Sequence, residues 1–163
     1  MPSPGQIYYA TSLAGSFRLM GVVETLDISG DVPYELAENL SVIDPEGFSR
    51  LFVNIMSPRH EASLRIRYVR PQGEPFTRMV EKAATMHRDI IRSRHSLTDH
   101  VYLQVVLDGV NCLRLSGYPS RYSWRIEAGQ VNILTIELTL VLAHKDWYMS
   151  LDIAPCINLH ESW

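Results

Sequence analysis

Thirteen consecutive residues, Val131 to Ala143, carry one unbroken strand pattern. Leu134, Ile136, Leu138, Leu140 and Leu142 fall on one face, and Ile133, Thr135, Glu137, Thr139 and Val141 fall on the other. A period of two sends alternate side chains to opposite faces of a sheet, so the segment reads as a half-buried strand. At about 3.3 Å per residue it would reach about 43 Å, some twice the usual strand. A strand that long in a chain of 163 residues is expected to bend, or to project beyond its own core and pair with something.

The residues before it read as sheet as well. Residues 101–107 alternate and are followed by Asp108-Gly109, a hairpin signal because a type I′ turn needs positive φ at both central residues. The expected partner is Val110–Leu115. Gly117-Tyr118-Pro119-Ser120 is expected to turn the chain again. In Arg121–Ile126, Tyr122, Trp124 and Ile126 share one face, and Glu127-Ala128-Gly129-Gln130 makes the next turn. The last third is thus a four-strand meander.

Earlier strand signals lie at 7–10, at 17–28 with a bulge or bend at Gly21, at 50–56 and at 62–69. In 62–69, Leu64, Ile66 and Tyr68 alternate with Arg65 and Arg67. Residues 29–49, with Gly30, Pro33, Pro45 and Gly47, read as a long acidic loop with room for a helical turn at Tyr34–Leu40. One helix is expected over about 74–93. Pro75 suits its first turn, and Phe76, Met79, Val80, Ala83, His87, Ile90 and Ile91 form one apolar stripe. Strands, one helix, then more strands make an α+β chain dominated by antiparallel sheet: a β-sandwich or small barrel with one packed helix. The domain reading is a single unit over 1–147, with an N-terminal arm and the acidic loop, and a C-terminal extension over 148–163.

Hydrophobic residues at 46% and charged residues at 20% describe an ordinary globular chain, not a disordered, collagenous or disulfide-dense one. The formal net charge of -3 gives no global basic signature for nucleic acid. It is a sum of opposed segments. Residues 1–49 carry one base and seven acids, 50–94 ten bases and four acids, and 95–163 four bases and seven acids. All the bases except Lys82 and Lys145 are arginine, the side chain suited to bidentate pairing and to interfaces. Cys112 and Cys156 match no zinc or CxxC pattern, and each is expected as a buried thiol. Met1-Pro2-Ser3-Pro4-Gly5 lacks the positive start and apolar core of a secretory leader, so none is expected. No apolar run reaches the roughly 20 residues of a membrane span, so no membrane anchor is expected.

The search for chemistry finds little. His60-Glu61 begins like a zinc-protease motif, but Leu64 stands where the second histidine is required. His87, His95 and His100 are not spaced to share an ion. There is no GxSxG, GxGxxG or phosphate-cradling loop. Neither an enzyme nor a cofactor is expected. Arg59, Arg65, Arg67, Arg70 and Arg78 lie near Tyr68 and Phe76, a pairing that single-strand nucleic-acid binders use. The competing reading, which we favour, places Tyr68 in the core and pairs the arginines with acids of the first segment, in the same copy or the next.

Leu115-Ser116-Gly117-Tyr118-Pro119, then Ile133, Thr135, Glu137, Thr139, Leu140, Leu142 and Trp147, resemble the C-terminal part of tail tube proteins of contractile phage tails. In that family a glycine-to-proline turn precedes a strand reading T-x-E-x-T-L-x-L and a closing aromatic. The order strand, helix, hairpin is similar too, and the resemblance covers about residues 62–148. It implies a structural subunit of a tail or related injection system. Six copies would form a homo-oligomeric ring around a lumen, in contact with neighbouring tail proteins, with DNA only as passing cargo. The location implied is the virion tail, after synthesis in the host cytoplasm. No segment is assigned to the long hairpin that such proteins lay on the next ring; either the 29–49 loop replaces it, or the chain is a baseplate or neck relative and not the tube.

Under this reading Thr135, Glu137 and Thr139 form the assembly or lumen-facing row. Arg59, Arg65, Arg67 and Arg70, with Asp27, Asp31, Glu35 and Glu38, are candidate inter-subunit charges. The alternatives are a baseplate or neck adaptor, tube initiator or tail terminator, and a β-barrel module binding single-stranded nucleic acid or a small ligand.

Overall fold

The computed structural model describes residues 3–12, 15–30, 60–94, 101–142 and 151–160. Eight strands and one helix occupy them. In chain order they are β1 (Gln6–Ala10), β2 (Phe17–Gly30), β3 (His60–Val69), α1 (Phe76–Arg94), β4 (Val101–Val106), β5 (Asn111–Arg125), β6 (Ile133–Leu142), β7 (Leu151–Pro155) and β8 (Leu159–His160). The ladders run β1–β4–β5–β6–β3–β2, and β1 also pairs β2, so the sheet nearly closes into a ring. β7 adds to β5, and β8 lies parallel to β2. Every other ladder is antiparallel. The mainly antiparallel sheet with one packed helix is the fold class the alternation implied.

Two strands serve two neighbours in succession. β2 pairs β1 up to Val22 and β3 from Val22 onward. β5 pairs β4 through Cys112–Gly117 and β6 through Gly117–Arg125. The expected turn at 117–120 is therefore absent, and the chain runs on as one strand of 15 residues with a bulge between Pro119 and Arg121. The register shift falls in β5, while β6 is 10 residues long and pairs β3 without one. Gly117 makes the passage possible, because a β-carbon there would stand 1.9 Å from the Val141 carbonyl oxygen. Gly21 does the same in β2. Its φ is 149° and an added β-carbon would meet the Arg67 carbonyl at 2.6 Å, a conformation and spacing that suit glycine.

The β4–β5 hairpin forms where Asp108-Gly109 stands, by a different device. Gly109 does not have positive φ. Instead the Asp108 carboxylate accepts the amides of Val110 (2.8 Å) and Asn111 (2.7 Å), an aspartate-capped turn. Those two donors hold its carboxyl below the usual range. β2 also runs two residues further than its pattern, through Ser29 and Gly30. The expected strand at 50–56, the helical turn at 34–40 and the rest of the acidic loop lie outside the described residues.

The main core fills the ring beneath the helix. Leu134, Ile136, Leu138 and Leu140 of β6, with Leu64, Ile66 and Tyr68 of β3, meet Met79, Ala83, Met86 and Ile90 of α1. The buried stripe on α1 is narrower than its pattern suggested. Met86 belongs to it, whereas Phe76 and Ile91 lie at the exposed margin, 42% and 36% accessible. His87 sits between the two classes, its ring 5.2 Å from that of Tyr122. A second cluster covers the opposite face of β1 and β4: Tyr8, Ala10, Phe17, Tyr102, Val106 and Cys112. Being covered on both faces, β4 is buried at all six positions.

Cys112 and Cys156 are joined in a disulfide. This corrects the expectation of two separate buried thiols. Their 44-residue separation gave no sign of proximity, because it is the pairing of β7 with β5 that brings them together.

Candidate functional site

The second half of β2, with β3, β6 and the second half of β5, forms a four-stranded patch with two unlike faces. One face is the core beneath α1. The other is polar and accessible, and its rows follow from the register. Asp27, Ser63, Thr139 and Arg121 align across the four strands. In the next row Thr25, Arg65, Glu137 and Ser123 align, and in the third Val22, Arg67, Thr135 and Arg125 do so. The Thr135, Glu137 and Thr139 side is thus flanked by Arg65 and Arg67 on one neighbour and by Arg121 and Arg125 on the other. Thr25, Asp27, Ser63, Arg65, Arg121, Glu137 and Thr139 line an open depression of about 270 Å³ on it.

Two of the arginines on this face share one carboxylate. Glu24 receives Arg65 at 3.3 Å and Arg67 at 3.9 Å. With side chains 37–47% accessible, such pairs contribute at most about 1 kcal/mol to folding.

The sequence-derived residues divide three ways. Thr135, Glu137, Thr139, Arg65, Arg67 and Asp27 come together on the polar face. Arg70 does not. It donates through Nε (3.1 Å) and Nη2 to the Asn132 side-chain oxygen and through Nη1 to the Glu74 carbonyl, tying the entry of β6 to the turn before α1. Arg59, Asp31, Glu35 and Glu38 lie outside the described residues. Residues missed by the sequence reading are Glu24, Arg121, Ser123 and Arg125. The alternation in Arg121–Ile126 carried that signal: with Tyr122, Trp124 and Ile126 inward, the intervening residues must face out.

Each outer strand of the patch has a ladder partner on one side alone among the described residues. Among the described residues, the ladder partners of Thr25–Gly30 come from β3 alone, and those of Arg121–Arg125 from β6 alone. The β5 margin presents Arg121 and Arg125, while the β2 margin presents Glu24 and Asp27.

Two other polar features are internal braces. Tyr68 donates to Glu74 (2.9 Å), and the Lys82 ammonium donates to Tyr68 (2.8 Å) and to Glu74 (2.5 Å), fixing the β3–α1 connection. Burial alone would lower Lys82, but these bonds outweigh it and leave its affinity for the proton raised. Tyr9 donates to Asp89 at 3.0 Å, joining β1 to α1, and burial beside that carboxylate raises the phenol. The Tyr122 hydroxyl is buried with no hydrogen-bond partner among the described residues, and burial raises it too. Among the described residues no group of three or more His, Cys, Asp or Glu is placed to hold a metal ion, and no helix is long and apolar enough to cross a membrane.

No protein-family model matches the chain, and no curated protein or solved structure does.

Proposed function

We propose that this chain is a structural, non-enzymatic subunit of a phage tail or related injection system, and that copies join edge to edge into a ring around a lumen. The observation that carries the reading is the four-stranded patch. Its inner face is sealed by its own core, its outer face is polar, and among the described residues both margins lack ladder partners. Open strand edges are normally blunted or covered, because they template pairing with other chains.

The strand count matters. β2, β3, β6 and β5 alternate in direction, so the outer strands of the patch run oppositely. In a rotational ring the β5 edge of one copy then meets the β2 edge of the next in antiparallel sense. Such a heterologous contact continues the sheet and closes only if the rotation does. Charges favour the same contact, with Arg121 and Arg125 on one edge and Glu24 and Asp27 on the other. The Thr135, Glu137 and Thr139 row would then face the lumen, and the helix would lie on the outer side of the wall. The resemblance to tail tube proteins supplies the six-fold number and the tail location. A tube, a baseplate hub, an initiator and an adaptor share this wall and differ in whether rings stack.

Multi-angle light scattering across a concentration series, with negative-stain microscopy of the largest species, tests the reading. Closed rings support it. If stacking is intrinsic to the chain, tubes grow from those rings, and if not, rings stay single.

A further inference from the structure

Residues 151–160 form a strap over the second apolar cluster. β7 pairs with Asn111–Leu115 of β5, and β8 adds two residues beside Phe17 and Arg18 of β2. Between them, the amide of buried Gln104 clasps Ile157: its Nε2 donates to the Ile157 carbonyl (2.8 Å), and its Oε1 accepts the Ile157 amide (3.0 Å). The disulfide at Cys156 adds the one covalent hold.

Strap and floor differ sharply in burial. Tyr8, Phe17 and Cys112 are 0% accessible and Tyr102 2%. From Ile153 to His160 no strap residue is buried, and Ile153 is 63% accessible. Cys156, Ile157 and Leu159 are partly buried against the cluster, so the strap's own apolar burial is partial. Its hydrogen bonds are exchangeable for bonds to water at small net loss. A lifted strap gives up this ladder, these bonds and the cover over the aromatic floor; the disulfide adds loop closure to them, and reduction removes that share.

We propose that Cys112–Cys156 is a redox latch. Oxidised, it seats the strap; reduced, it lets residues 151–160 lift and uncovers the aromatic floor of Tyr8, Phe17 and Tyr102. Cys112 is fully buried, whereas Cys156 is partly accessible, so Cys156 is the end proposed for attack by an incoming thiolate. That attack forms a mixed disulfide on Cys156 and expels Cys112 as a thiolate, which takes a proton. The second thiol of a dithiol reductant then attacks the mixed disulfide, releases Cys156 as a thiol and closes its own cyclic disulfide. Two electrons and two protons pass to the protein. Opening also admits water to Gln104, so the lifted state leaves no buried amide unpaired.

Hydrogen exchange with peptide-level mass spectrometry on the full chain, oxidised and after dithiothreitol, tests the latch. The expected result is that exchange in 151–160 accelerates by up to about a thousandfold on reduction, the scale that loop closure over a separation of 44 residues gives. Exchange in β3 and β6 stays unchanged, and reoxidation restores the strap. A brief pulse of glutathione should leave its adduct on Cys156. Strap exchange equal in both states would overturn the proposal, as would global loss of protection on reduction or an adduct on Cys112. The Cys112→Ser/Cys156→Ser variant should exchange like the reduced protein; if it fails to fold, the latch is overturned in favour of a disulfide the whole fold requires.

Discussion

Gly117 of β5, opposite Leu142 in the β5–β6 register, packs so close to Val141 that a β-carbon on the glycine would stand 1.9 Å from the valine carbonyl oxygen. That contact lets one strand leave β4 and join β6 without a turn. It is also the tightest of the glycine approaches in the described residues. Gly117→Ala is expected to cost about 3 kcal/mol, at the upper end of overpacking, because backbone and not a flexible side chain must move. Gly109→Ala, with nothing within 4 Å of its β-carbon, should be near neutral. Urea denaturation of the two variants checks this, and equal midpoints would contradict it.

Tyr122 holds a buried hydroxyl with no partner among the described residues. Leaving such a group unpaired costs about 1–3 kcal/mol, so Tyr122→Phe should stabilise the protein by about 1 kcal/mol in thermal or chemical unfolding. A loss of stability would show that the hydroxyl has a partner.

The pH response on the alkaline side follows from the same burial. Tyr9, Tyr68 and Tyr122 are raised by burial, and Lys82 is raised by its bonds to Glu74 and Tyr68. Each group binds its proton more tightly folded than unfolded. Their contribution is complete below the ordinary tyrosine and lysine range of about 10 and falls as pH climbs through the raised values. Stability should decline from about pH 10 upward, and the decline should be shallower in Tyr122→Phe. A pH series of denaturation midpoints reads both slopes.

Asp108 gives the acid counterpart. Its carboxyl is lowered by the amides of Asn111 and Val110. The folded state thus binds that proton less tightly, and the turn's contribution is complete above the ordinary carboxylate range and falls as pH drops through the lowered value. Asp108→Asn keeps the acceptor oxygen and removes the titration. Below about pH 4 the wild type should lose stability faster than the variant, measured as midpoint against pH. Parallel curves would contradict the assignment.

Much of this fold was written in side-chain period. The alternation in β3 and β6 named the core residues correctly because each strand buries one face only. Where two faces are covered, as in β4, period carries less. The turn at Gly117-Tyr118-Pro119-Ser120 was misread because glycine and proline serve a close approach and a bulge there, and local chemistry does not distinguish that use from a turn. The disulfide was invisible for a related reason: it depends on β7 returning to β5, a long-range pairing that no local spacing encodes. On the polar face, Arg65, Arg67, Thr135, Glu137 and Thr139 were legible. Their meeting with Arg121 and Arg125 required the register.

The two margins that lack ladder partners among the described residues yield the sharpest test of edge pairing. Arg121→Glu/Arg125→Glu reverses the β5 edge, and Asp27→Lys reverses charge on the β2 edge. All three positions are exposed, so each change should alter monomer stability by about 0.5 kcal/mol or less. In the assembly, reversal on one edge places like charges opposite each other and should prevent association.

The most direct measurement of the central claim is the mass of the protein by light scattering over a wide concentration range, wild type beside these two variants and the variant carrying all three changes. The account predicts a closed ring for wild type, monomers for either edge reversal, and recovery of the ring when both edges are reversed together. A wild-type protein that stays monomeric at every concentration, or rings indifferent to the edge charges, would contradict it.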